Sequence, residues 1–138
     1  SLVDLVHTTV AAGTTLYATA DVKDVFYFTD KLAATSETPD FTIGSFAAGD
    51  SIVLGSSFTF NSGALTTGAN NKQEFFLVKS DAGVQIVLEG ANYGSSELTP
   101  NTTTGAITST AADHAQVITL TGVTLDRVSV ANGVVSYV

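Results

Sequence analysis

The residues with chemistry to offer are concentrated in one stretch. Six of the thirteen acidic residues, Asp21, Asp24, Asp30, Glu37, Asp40 and Asp50, fall between positions 21 and 50, where only Lys23 and Lys31 oppose them. A hard cation such as calcium takes about six to eight oxygen ligands, so acids carried on loops beside backbone carbonyls would suit it. Asp24 and Asp50 are the first candidates for calcium ligands, and Asp21 and Asp40 the next. The alternative is that each acid ends a strand in water and contributes solubility alone.

Catalytic chemistry has little to draw on. There is no cysteine, which removes thiolate nucleophiles, thiolate metal sites and disulfides together. The two histidines are His7, which alternates with Leu5 and Thr9, and His114, whose neighbour Asp113 would point to the opposite face of a strand. Neither places a general base beside a nucleophile and an acid, so the chain is expected not to be an enzyme. Sugar binding needs exposed aromatic faces. With no Trp, the four tyrosines Tyr17, Tyr27, Tyr93 and Tyr137 are the available rings, and Tyr93 in the glycine-rich "EGANYGSSE" is the candidate ligand-binding residue. Asn101-Thr102-Thr103 fits an N-glycosylation acceptor, which matters only in a host that glycosylates.

The elements that would position these residues read as strands. "DVFYFTD" alternates Val25, Tyr27 and Thr29 with Phe26 and Phe28, "SIVLGSSFTF" gives a further extended run, and "EFFLVKS" and "GVQIVLEG" flank the turn residues Ser80 to Gly83 as a hairpin. "AQVITLTGVTL", "DRVSV" and "GVVSYV" continue the pattern, with Asn132-Gly133 suited to a tight turn. No amphipathic helix stands out. The 138 residues predict one all-β domain over 1–138, an antiparallel sandwich or Greek-key-like roll of about eight short strands.

Residues 1–12 read as a possibly separable terminal strand. Its apolar Leu2, Val3, Leu5 and Val6, with few charges nearby, are candidates for self-association by strand addition to another copy.

Partners are narrowed by charge. A net charge of −8 with only five basic residues, scattered along the chain, argues against nucleic acid and anionic membrane surfaces. No apolar stretch approaches the roughly 20 residues that cross a bilayer. The start at Ser1, without Met or a signal-peptide pattern, points to a processed product or an excised piece.

"KDVFYFTD", "FTIGSFAAGDSIVL" and the terminal "QVITLTGVTLDRVSVANGVVSYV" resemble the C-terminal region of RTX-like extracellular proteins exported by type I secretion, of the surface-layer and adhesin kind. Asp24, Phe26 and Phe28 match that group's first strand motif. Phe46, Gly49, Asp50, Ile52 and Leu54 match its hairpin motif, with Ser45 where the group has Asp. The glycine-rich nonapeptides of the group are absent. The resemblance implies an extracellular or cell-surface module, structural or interacting in role. The other readings are a calcium-stabilised carbohydrate-binding module and the C-terminal cap and export region of a larger secreted protein.

Overall fold

A computed structural model describes residues 2–4, 15–27, 40–55, 58–68, 72–89, 100–107 and 115–138. Within them lie eleven strands: β1 (Leu2–Asp4), β2 (Thr15–Tyr17), β3 (Val25–Tyr27), β4 (Phe41–Gly44), β5 (Ser51–Val53), β6 (Thr59–Phe60), β7 (Glu74–Lys79), β8 (Gly83–Glu89), β9 (Ala115–Thr121), β10 (Val128–Ala131) and β11 (Val134–Tyr137). Two short 3₁₀ turns, Leu65–Thr67 and Leu125–Arg127, are the only helical elements among the described residues. The all-β sandwich expected from the sequence is the fold. One sheet has the order β1-β3-β5-β11-β10, the other β2-β4-β9-β8-β7-β6.

Strand direction differs from the antiparallel expectation. Five of the nine pairings among described strands are parallel: β1 with β3, β3 with β5, β2 with β4, β4 with β9, and β6 with β7. From β1 to β5 the chain steps from one sheet to the other at every strand, so each strand pairs in parallel with the next but one. Period-two alternation shows which face a residue takes and is silent about the direction of its neighbour. The strands are also shorter and more numerous than expected, because "SIVLGSSFTF" divides into β5 and β6 on different sheets.

The core lies between the sheets. Phe26, Ile52 and Val135 face Ile43, Phe75, Val84, Ile86, Leu88, Ile118 and Leu120 across it, all close to fully buried. Side chains at the alternate positions of the second sheet's central strands point the other way. Phe76, Val87 and Val117 form a second cluster on the outer face, covered by Leu65 and Ile107. Both faces of β8 are therefore buried, which is why its sequence is nearly continuous in apolar residues rather than alternating with polar ones.

The two hairpins expected from turn chemistry are present: β7 with β8, and β10 with β11. In the second, Asn132 and Gly133 both have positive φ, 51° and 75°, as a two-residue turn of type I′ requires. A Cβ on Gly133 would stand 2.4 Å from the carbonyl oxygen of Gly55, so the turn docks where no other residue fits.

β1 is also accounted for. Leu2, Val3 and Asp4 pair in register with Val25, Phe26 and Tyr27, so this part of the terminal segment pairs within its own sheet, at its edge among the described residues. Leu5 and Val6 lie outside the described residues.

Candidate functional site

Asp24 and Asp50 occupy equivalent corners of the chain. Each immediately precedes a strand of the first sheet, Asp24 before β3 and Asp50 before β5, and those strands pair in parallel with Val25 opposite Ser51. The carboxylates therefore stack one above the other at the end of the sandwich where the chain crosses between sheets.

Each carboxylate closes the crossing that leads to it. In the second crossing, the Asp50 N–H donates to the Ala47 carbonyl at 2.9 Å, while Asp50 Oδ2 accepts the Ala47 N–H at 2.9 Å. Gly49, at φ 96°, supplies the left-handed backbone this turn needs. In the first crossing, Asp24 Oδ2 accepts the Thr19 N–H at 2.5 Å, and the Val22 N–H bonds the Thr19 carbonyl at 3.2 Å. Two bonds then tie the corners to each other: the Asp24 N–H donates to Asp50 Oδ1 at 2.9 Å, and the Ser51 N–H to the Asp24 carbonyl at 3.0 Å. Both aspartates are only 2% exposed. A carboxylate can be held at that depth because oriented N–H groups replace its lost water.

The four candidate metal ligands do not converge. Asp21 is exposed, with φ 60°, in the first crossing near Asp24. Asp40 stands at the far end of β4, where its Oδ1 accepts the Val117 N–H at 3.0 Å and extends the pairing of β4 with β9 by one bond. Among the described residues no group of three or more acidic, histidine or cysteine side chains could hold a metal ion. Asp30 and Glu37 lie outside the described residues. Asp24, Asp40 and Asp50 each accept a backbone N–H, which is the chemistry of a turn or strand clamp.

Tyr93, His7 and His114 lie outside the described residues as well. Among the described tyrosines the prominent one is Tyr17 on β2, 73% exposed, whose ring lies across Gly44 of the neighbouring strand. A Cβ on Gly44 would fall 2.8 Å from Tyr17 Cδ1 and Cε1, so the glycine makes the flat seat on which the ring rests. The sequence offers Tyr17 as one of four rings and singles out Tyr93; the parallel register of Tyr17 with Gly44 is what distinguishes Tyr17.

A cleft of about 640 Å³ opens between the β7–β8 turn and the segment after β9, lined among others by Asp81, Gly122, Thr124, Leu125 and Asp126. The Thr124 hydroxyl donates to Asp126 Oδ1 and holds that carboxyl below its usual range, with lesser help from its own backbone N–H and from Arg127.

The edges of both sheets offer a further polar surface among the described residues. Among the described residues the four outermost strands, β1, β10, β2 and β6, carry one charged residue, Asp4, and no proline. Sheet edges are ordinarily protected by lysine, proline or a bulge. No protein-family model, curated protein or solved structure matches the chain.

Proposed function

We propose that the chain is an extracellular, non-enzymatic structural or interaction module that associates with copies of itself through its sheet edges, as a building block of a surface layer, filament or adhesin. The observation that carries this reading is that the four outermost strands among the described residues lack lysine and proline, in a chain of net charge −8. Charge is spent on the turns and withheld from the edges, and an unprotected edge offers rows of backbone donors and acceptors to another strand. The resemblance to RTX-like surface proteins points the same way.

The test is particle size against protein concentration, by light scattering and electron microscopy. Growth of the particles with concentration is expected. A chain that stays monomeric up to millimolar concentration would overturn the reading.

A second reading, a carbohydrate-binding module, has Tyr17 in its favour. A ring exposed on one face and seated on glycine on the other presents a rigid stacking surface. Under that reading Tyr17→Ala abolishes retention on a polysaccharide that holds the native chain.

A further inference from the structure

The directions of the edge strands specify how copies would join. In the first sheet β1, β3 and β5 are mutually parallel, β11 is antiparallel to β5, and β10 is antiparallel to β11. Two reversals cancel, so β10 runs in the same direction as β1. In the second sheet β2, β4 and β9 are parallel, β8 reverses, β7 reverses again, and β6 is parallel to β7. There too the cancellation is complete, and β6 runs in the same direction as β2.

The four edges fall into two ends. The short crossings join β2 to β3 and β4 to β5, so the sheets step the same way from β2 to β4 and from β3 to β5, which puts β1, beside β3, at the same end as β2. At the other, β10 follows directly on the 3₁₀ turn Leu125–Arg127, which contacts β7, the strand paired with β6; Val128 of β10 and Leu77 of β7 also pack on the same core. Among the described residues, each end thus shows an edge strand from each sheet.

We infer that copies of this chain stack head to tail, β10 of one pairing in parallel with β1 of the next while β6 pairs in parallel with β2, so that both sheets run on through the polymer. This rests on the self-association proposed above and names its geometry. A second copy is the occupant because one rigid-body placement satisfies the strand directions at both edges, with parallel pairing already the prevailing mode beside β1 and β2. Such a contact is heterologous, so it repeats without closing unless the rotation per copy completes a ring.

The hairpin turn fixes which groups of β10 are available. A two-residue turn directs the N–H and C=O of its flanking pair, Ala131 and Val134, toward each other, and alternation does the same for Ser129 with Ser136. The N–H and C=O of Val128 and Val130 then face the open edge. The bond from the Val138 N–H to the Arg127 carbonyl, 2.8 Å, continues the same alternation inward.

The experiment uses two full-length variants, each with one end blocked. Ser129→Lys with Ala131→Lys charges β10, and Thr15→Lys with Tyr17→Lys charges β2; all four side chains are exposed, so circular dichroism and melting should report an intact fold for both. The native chain is expected to form polymers by electron microscopy, and each variant alone to remain monomeric. Mixed in equal amounts, the two variants retain one complete native interface between them and should give a species of twice the monomer mass by light scattering. Three results would overturn the inference: native chains that close as dimers, variants that polymerise as the native chain does, or a mixture that stays monomeric. In each of those cases native association itself survives as a separate observation, whereas native chains that never associate remove both this inference and the function proposed above. If either variant fails to fold, Val130→Pro, which removes an outward N–H, or Thr15→Lys alone replaces it, with the same outcomes.

Discussion

The backbone N–H of Asp24 donates to Oδ1 of Asp50 at 2.9 Å, joining two corners of the chain that are 26 residues apart. The acceptor's other oxygen holds the Ala47 N–H, so one carboxylate closes its own turn and locks the turn stacked on it. Asp50→Ala removes both acceptors and leaves the buried Asp24 N–H and the partly exposed Ala47 N–H without them. A loss of about 2–4 kcal/mol in unfolding free energy is expected, given about 1–3 kcal/mol for each buried group left unsatisfied. Chemical denaturation measures it, and a loss under about 0.5 kcal/mol, the range of an ordinary surface substitution, would show the clamp to be incidental.

Calcium is expected to leave the melting temperature unchanged. Anything that binds only the native state raises it by mass action. Because Asp24 and Asp50 are committed to backbone N–H groups, they offer no converging shell. The check is to melt the protein in chelator and in millimolar calcium. A clear rise with calcium would establish a cation site built with acids beyond those described.

Gln85 fastens a loop to the outer face of the second sheet. Its amide accepts the Ile107 N–H at 2.7 Å and donates to the Ile107 carbonyl at 3.1 Å, with a further bond to the Thr119 hydroxyl at 3.1 Å. Gln85→Leu keeps the bulk and breaks the clasp. Unfolding free energy should fall by about 2–4 kcal/mol, from two buried backbone groups losing their partners. Hydrogen exchange at the Ile107 amide should rise more than exchange in β10 and β11; uniform acceleration would mean the clasp has no local role.

Asp126 supplies a pH dependence with a definite sign. Its folded pKa lies below the ordinary 3.8, chiefly because the Thr124 hydroxyl bonds the ionised form. A depressed carboxyl contributes stability that is present above the unfolded pKa and disappears as pH falls through the folded one. The window is therefore below about pH 4, and at neutral pH the contribution is constant. Thr124→Ala should move the Asp126 titration, followed by NMR, upward toward its ordinary value. An unmoved titration would assign the shift to the backbone and Arg127 instead.

The local pattern was legible wherever the chain folds on its nearest neighbours. Ser80 to Gly83 between two apolar runs, and Asn132-Gly133 between two more, place two hairpins, because positive φ and turn propensity are properties of one or two residues. The all-β class likewise follows from period-two alternation, which depends only on side-chain geometry along a strand. The acids told less. Their proximity in sequence suggested a shared cation, yet Asp40 bonds Val117, 77 residues away, while Asp24 and Asp50 bond turns at the opposite end of β4. Which acids meet is set by the stepping of β1 to β5 between two sheets, and that depends on strand direction and register, formed by backbone groups that every residue carries alike. For the same reason the matching directions of β10 with β1 and of β6 with β2 leave no trace in residue types: tertiary pairing alone decided them.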